Sequence, residues 1–157
     1  MSQSDDNVNA PLPRLAKDAA VKWAEDYTAY MARLTEVELT PSTARTNFEE
    51  CVGKDDEVAG DGRYSLFYYV YSDAPVTEHS RVVRTLRREL TGQGYEVTSY
   101  REFRSAGRAA VFSARDKESS YRVMADTVGS GKTKPQRLSF SVRTPCLLPP
   151  GATQQQF

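Results

Sequence analysis

The chain has 157 residues, of which 39% are hydrophobic and 27% are charged, an ordinary composition for a soluble globular protein. This length is sufficient to bury a core without metals or further cross-links. The formal net charge of zero argues against a general attraction to nucleic acid or a polybasic membrane anchor, and no apolar stretch approaches the roughly 20 residues that span a bilayer.

Residues 1–13 are polar, acidic and proline-bearing, and they lack the basic and apolar regions of an export signal. We expect them to form a flexible N-terminal tether ahead of a single α+β domain over residues 14–157. Because the two cysteines indicate export, we also expect that a signal peptide has been removed before Met1, so that the tether follows a processing or lipidation site. A complete cytosolic chain is the alternative.

Two amphipathic helices are predicted. Apolar residues recur at helical spacing after Pro13, and Pro41 prevents continuation, so the first helix runs from Arg14 to about Leu34. Its apolar stripe is Leu15, Ala19, Trp23, Tyr27, Met31 and Leu34. Thr77 is the expected N-cap of the second helix, and Gly92 or Gly94 is its stop. The buried stripe of that helix is Val82, Val83, Leu86 and Leu90.

Residues 64–71 are the clearest strand, because they are rich in aromatic residues and are bounded by glycines before and by Asp73 to Pro75 after. Residues 35–50 are ambiguous, with a short strand at Val37–Leu39 and then a loop as one reading. Four more strands are predicted at Tyr95–Phe103, Ala109–Arg115, Ser120–Val128 and Gln136–Arg143. The order α-(β)-β-α-β-β-β-β predicts an α+β two-layer sandwich, with two helices on a largely antiparallel sheet of about five strands.

The chain contains two cysteines, Cys51 just before the first strong strand and Cys146 just after the last. Together they bracket nearly all of the strand-forming sequence, which predicts a disulfide bond between them. A disulfide indicates an oxidising compartment, so we expect an extracellular or cell-surface protein. Two unrelated thiols in a cytosolic protein are the alternative.

No catalytic residue, metal site or cofactor is predicted. His79 is the only histidine and falls in the first turn of the second helix, where a neutral or solvated imidazole is expected. Gly131-Lys132-Thr133 resembles the end of a phosphate-binding loop, but Asp126 replaces its first glycine and Pro135 stands where its helix should begin. We therefore expect a hairpin turn that binds no nucleotide. The acidic run between Glu49 and Asp61 lacks the spacing of a calcium loop.

Strict alternation along the strands predicts one aliphatic face beneath the helices and one mixed face. The expected aliphatic set is Leu66, Val70, Val97, Val111, Val123, Leu138, Phe140 and Val142. The other face is expected to hold Phe67, Tyr69, Tyr71, Tyr100, Glu102, Phe112, Arg122, Met124 and Arg143. Tyrosine and arginine are favoured at recognition sites, so we predict a partner-binding site at Tyr69, Tyr71, Tyr100 and Arg122. The alternatives are that the first helix covers this face or that the tyrosines only form cross-strand pairs.

Several segments carry a resemblance to a known class of proteins. The stretch Gly60–Tyr64, the tyrosine-rich strand, the helix Val82–Leu90 with Gly94–Val97 after it, and the closing Thr144–Gly151 resemble small secreted proteins or lipoproteins of unknown function from high-GC actinobacteria. The resemblance implies export, often with a lipid-anchored N-terminus, and a cysteine pair that frames an α+β domain. It implies no particular activity.

Two functions remain open from the sequence. The first is a non-enzymatic extracytoplasmic module that binds a protein or a cell-envelope ligand, a class that includes inhibitor and immunity roles. The second is a small cone-shaped α+β fold, similar to the nuclear-transport-factor-like superfamily, with a ligand-binding, hydrolase or isomerase pocket for which Glu102 and Asp126 are the candidate acids. No residue pattern indicates an ionisable group inside an apolar pocket, which favours binding. Membrane contact is expected only through a removed lipid anchor.

Overall fold

The computed structural model describes residues 9–102, 109–129 and 136–157. Two helices, α1 (Lys17–Leu34) and α2 (Val76–Thr91), pack against one six-stranded antiparallel sheet. The strands are β1 (Thr40–Glu50), β2 (Tyr64–Ser72), β3 (Tyr95–Arg101), β4 (Val111–Asp116), β5 (Arg122–Val128) and β6 (Arg137–Arg143). The predicted α+β fold is confirmed, with six strands instead of about five. In the described part of the chain, no helix is long and apolar enough to cross a membrane.

The strands lie in the order β1-β2-β6-β5-β4-β3, and every neighbouring pair is antiparallel. Strands β3, β4, β5 and β6 form a meander in which each pairs with the next strand in the chain. The predicted turn at Lys117–Glu118 connects β4 to β5, whereas the turn signals at Gly107 and Gly131 lie outside the described residues. Helix α2 carries the chain across the sheet from β2 to β3 at the far edge. As a result, the last strand of the chain returns to the middle of the sheet and pairs with β2.

The edge strand β1 was missed by the sequence analysis. The short strand expected at Val37–Leu39 was wrong, since the strand begins only at Thr40 and the preceding residues have no regular structure. Most side chains of β1 are exposed, so its sequence shows no apolar alternation. Pro41 is tolerated because an edge strand does not need every N–H group for pairing.

Helix α1 presents small residues to the sheet. Its fully buried positions include Ala20, Ala24 and Met31, whereas Trp23 and Tyr27 are only half-buried at the margin of the core. The predicted stripe was therefore rotated about the helix axis relative to the buried face. The reason is that the helical spacing was read from the large aromatic residues and not from the alanines. Alanine at the contact lets the helix lie close to β2 and β6, and the bulky side chains occupy the space beside it.

The core fills the space between the helices and the sheet. The largest of its fully buried side chains include Leu66, Leu86, Phe112, Phe140 and Met31. Val111 and Phe112 were assigned to the wrong faces, since Phe112 is fully buried under the helices and Val111 pairs with Asp126 on the other face. The sequence around them is apolar at successive positions, so alternation could not decide between the two.

The two ends of the chain are bonded to each other. The backbone of Leu148 accepts a hydrogen bond from Leu15 N–H at 3.1 Å and donates one to Pro13 at 2.9 Å. Residues 9–13, which fall in the range predicted to be a tether, also hydrogen-bond to the C-terminal segment through Gln154 and Phe157.

A buried ion pair anchors the C-terminal segment. The Arg63 guanidinium lies 2.6 Å from the Asp61 carboxylate, and both side chains are almost inaccessible to solvent. Gln155 donates its N–H to Asp61 and accepts a hydrogen bond from Arg63 through its carbonyl oxygen. The bonds from Arg63 hold the pKa of Asp61 well below its usual range.

The predicted disulfide is confirmed. Cys51, just after β1, is bonded to Cys146, just after β6, with the two Cα atoms 6.1 Å apart and 95 residues apart in sequence. The bond closes a loop that contains β2 to β6 and α2. Cross-linking so long a loop removes much of the entropy of the unfolded chain.

We expect replacement of both cysteines by serine to lower the free energy of unfolding by up to about 4–5 kcal/mol, the chain-entropy value for a loop of this length. Urea denaturation at pH 7 measures the change. The wild-type protein with a reducing agent is the matched control, and it should unfold like the double variant, which should itself be insensitive to the reductant. Equal unfolding midpoints for oxidised wild type and double variant would contradict the prediction.

Candidate functional site

The face of the sheet opposite the two helices is the candidate site, and we call it the outer face. Residues that pair directly across antiparallel strands share a face, so the pairing register defines it. Three rows of this face, read across the sheet from β2 through β6, β5 and β4 to β3, are Phe67–Arg143–Arg122–Arg115–Glu96, Tyr69–Ser141–Met124–Ser113–Ser99 and Tyr71–Ser139–Asp126–Val111–Arg101. Both helices contact the alternate set of positions, which includes Leu66, Val70 and Phe140.

An aromatic ridge runs along β2 on the outer face. The rings of Tyr69 and Tyr71 are stacked with centroids 5.4 Å apart, and Phe67 lies 5.9 Å from Tyr69. Arginines from β6 lie over both ends of the ridge, with Arg143 at 4.6 Å from the Phe67 ring and Arg137 at 5.8 Å from the Tyr71 ring. The ridge is half-buried and held in place by these cation–π contacts.

A row of arginines crosses the sheet beside this ridge. Arg143 pairs with Glu49 at 3.1 Å, and Arg115 lies 3.9 Å from Glu96. Between them, Arg122 is exposed and makes no ion pair with any residue in the described part of the chain. Because Glu49 and Glu96 offset the charges of Arg143 and Arg115, the positive potential of this row is centred on Arg122.

Small residues form the floor of the outer face. Ser139 and Ser141 of β6 are almost completely buried, although they point away from the helices. They lie between the aromatic ridge on β2 and the half-buried Met124 and Asp126 on β5. Small side chains on β6 therefore separate the aromatic residues of β2 from Met124 and Asp126 on β5.

The predicted site is only partly assembled, because Tyr100 lies on the helix side. Its register partner is the buried Phe112, and its ring stacks under the Arg87 guanidinium of α2 at 4.1 Å. A bulge between Val97 and Ser99 inserts one residue into β3 and reverses the alternation that follows. The structure brings Tyr69, Tyr71 and Arg122 to one face and places Tyr100 on the other.

Glu102 also belongs to the helix side. Its carboxylate accepts hydrogen bonds from Arg84 at 2.6 Å and from Tyr100 at 2.7 Å, and the bond from Arg84 is the main reason that its pKa is lowered. Two further arginines of α2 form ion pairs, Arg81 with Glu78 and Arg88 with Glu89, whereas Arg87 stacks on Tyr100. Carboxylates therefore offset three of the four arginines in the basic strip of α2.

Asp126, the other candidate acid, lies on the outer face. It pairs with Val111 and Ser139 on either side, and burial raises its pKa. It is therefore separated by the sheet from the space between sheet and helices. Gly131, Lys132 and Thr133 lie outside the described residues. Among the residues that are described, no three His, Cys, Asp or Glu side chains cluster closely enough to hold a metal ion.

His79 is buried and forms part of a hydrogen-bonded chain. Its Nε2 lies 2.9 Å from the carbonyl oxygen of Ala74, so Nε2 carries the proton and Nδ1 accepts from the Thr127 hydroxyl at 2.8 Å. The Thr127 oxygen accepts in turn from the backbone N–H of Ala110. The imidazole thus links α2 to β5 through Thr127, and it links α2 to the preceding loop through Ala74. It has no access to solvent, so the alternative of a solvated imidazole was wrong.

Comparison with family models, curated proteins and solved structures finds no match to this chain.

Burial lowers the pKa of His79, and this predicts a pH dependence of stability. The unfolded chain takes up a proton below about pH 6.5 and the folded chain does so only at lower pH, so the free energy of unfolding should fall as the pH drops through this interval. The Cε1–H proton signal gives a direct measurement, because the chain has one histidine. We expect its NMR titration midpoint below 6.5, and a midpoint at or above 6.5 would contradict the assignment.

Proposed function

We propose that this protein is a non-enzymatic extracytoplasmic binding module that recognises a protein partner through its outer face. The single observation that supports this function is the aromatic ridge of Phe67, Tyr69 and Tyr71 together with Arg122, which has no ion pair among the described residues, on the face opposite the two helices. Tyrosine and arginine supply most of the energy at protein interfaces because they bury large areas and still form polar contacts.

The charges of the outer face define the partner that it would accept. Among the residues in its three rows, Arg101, Arg115, Arg122 and Arg143 outnumber the carboxylates of Glu96 and Asp126. A carboxylate on the partner would pair with Arg122 in the two-pronged geometry that guanidinium favours. An apolar side chain next to it would pack against the tyrosines and Met124. The partner is therefore an acidic protein surface with apolar residues among its carboxylates.

Secretion is part of the same proposal. The Cys51–Cys146 bond needs an oxidising compartment to form and persist. An extracellular or cell-surface location satisfies that need, and it would expose the outer face to partners from the envelope or from other cells.

We expect Tyr71→Ala and Arg122→Ala each to weaken binding of the partner by about 1–3 kcal/mol, because each removes a large anchor side chain from the face. The partner is first identified by placing a photo-crosslinking amino acid at position 69 and, as a control, at position 88 on α2. Its affinity for each variant is then measured by calorimetry, and circular dichroism checks that each variant is folded.

Arg88→Ala is the matched control, because it removes the same kind of group from an exposed position of α2, where the side chain is 70% exposed. That variant should bind like the wild type. The proposal would be contradicted if Tyr71→Ala and Arg122→Ala both bound with unchanged affinity. It would also be contradicted if crosslinking occurred from position 88 and not from position 69, which would indicate an interface on the helix layer.

A further inference from the structure

A second surface feature lies on the helix side of the sheet, where α1 passes the β4–β5 turn and the start of β3. A cavity of about 420 Å³ is present there, and its lining includes Trp23, Tyr95, Tyr121 and Asp116, which together we call the aromatic pocket. This volume is within the range of pockets that hold small organic ligands. The aromatic pocket shares no residue with the outer face, so it can be examined independently of the proposed function.

Three rings form the walls of the aromatic pocket. Trp23 and Tyr121 meet edge to face, with centroids 4.7 Å apart and planes at 84°. Tyr95 supplies the third ring, and Tyr27 supports both sides of this group, with its centroid 5.7 Å from Trp23 and 6.1 Å from Tyr95. The three wall residues are half-buried, so they are fixed by packing and still keep accessible ring surface.

Asp116 gives the pocket its charge. It is the only charged residue among the described residues that line the cavity. Its Oδ1 accepts the backbone N–H of Glu118 at 3.0 Å, which fixes the carboxylate within the β4–β5 turn, and its backbone pairs with Tyr95 on one side. The carboxylate is therefore held next to the rings by the hairpin itself.

The combination of ring faces and one carboxylate selects the chemical class of the ligand. The faces of aromatic rings attract cations, and the negative charge of Asp116 adds to that attraction. An anion would be repelled by both. A primary ammonium would lose hydrogen bonds to water that ring faces replace poorly, whereas a quaternary ammonium has no N–H groups and its methyl groups pack against the rings.

We propose that the aromatic pocket binds a quaternary ammonium group of the choline type. The group would pack against the accessible ring surfaces of Trp23, Tyr95 and Tyr121 that line the cavity, with Asp116 as its counter-ion. The same chemistry is presented by free choline compounds and by phosphocholine lipid headgroups, and the experiment separates the two.

Trp23 is the chain's only tryptophan, so fluorescence excited selectively at the red edge of tryptophan absorption, where tyrosine absorbs little, reports on this pocket. We expect choline chloride to change the Trp23 emission saturably, with sodium chloride at equal ionic strength as the blank. The uncharged analogue 3,3-dimethylbutan-1-ol, in which carbon replaces nitrogen, should bind at least about tenfold more weakly because it lacks the charge. Equal affinities for choline and this analogue, or a response to choline no different from that to sodium chloride, would overturn the proposal.

Matched variants test the role of the carboxylate. Asp116→Asn keeps the shape and the acceptor for Glu118 N–H but removes the charge, so choline affinity should fall about tenfold. Glu118→Gln removes a charge from the same turn without touching the cavity, and its affinity should stay within about twofold of wild type because solvent screens that charge. Equal losses in the two variants, or none in Asp116→Asn, would overturn the proposal, and neither variant removes a core side chain.

Vesicles identify the source of the ammonium group. Cosedimentation with phosphatidylcholine vesicles but not with phosphatidylglycerol vesicles would assign the pocket to a lipid headgroup. Binding of free choline and of soluble short-chain phosphatidylcholine without cosedimentation would assign it to a free compound. Absence of choline binding would overturn the proposal whatever the vesicles show, and it would leave the outer face unaffected.

Discussion

The insertion of β6 between β2 and β5 is the pairing on which the whole sheet depends. On one side of β6 lies the β1–β2 hairpin, and on the other lies the β3–β4–β5 meander, each of which is too small to bury an apolar face alone. The contact that β6 makes between these two parts, which we call the seam, continues beyond the strand. There the backbones of Leu147 and Tyr64 exchange hydrogen bonds, and Leu148 bonds to Pro13 and Leu15. Because β6 is the last strand in the chain, these contacts form only when both ends have come together. The Cys51–Cys146 bond lies at this seam, so it constrains the unfolded chain where closure costs the most entropy.

Burial against the helices decides which parts of this fold could be predicted from the sequence. Helix α2 and strands β2, β5 and β6 were predicted because each presents aliphatic residues to the core at a regular period. β1 was missed because an exposed edge strand has no such period. The buried face of α1 was only partly predicted: Met31 is buried as expected, but the centre of the contact is made by Ala20 and Ala24, whose small side chains carry little weight in a hydrophobic pattern. Sequence patterns therefore predict the helix layer and the sheet layer of this molecule, but they do not predict which residues of α1 make the close contact with the sheet.

The candidate sites depend on details that no local pattern contains. Tyr69, Tyr71 and Arg122 follow simple alternation, and they reach the predicted face. Tyr100 does not, because the bulge before Ser99 cannot be recognised from a sequence in which every neighbouring residue is compatible with a strand. The aromatic pocket unites residues from α1, β3 and the β4–β5 turn, which only the tertiary fold brings together. The same holds for the ion pair of Arg63 and Asp61, whose third partner, Gln155, lies at the far end of the chain.

The pairing of charges, more than their number, distinguishes the two sides of the sheet. The chain has no formal net charge, yet its arginines are not equivalent. On the helix side, the bulge in β3 brings Tyr100 beneath Arg87, and Glu102 next to it neutralises Arg84. On the outer face, Glu49 and Glu96 pair with the arginines on either side of Arg122, and Arg122 itself keeps an exposed guanidinium beside a row of aromatic rings. A neutral protein can thus present a local positive site at Arg122, and the bulge in β3 adds to the contrast because it places Glu102 beside the arginines of α2.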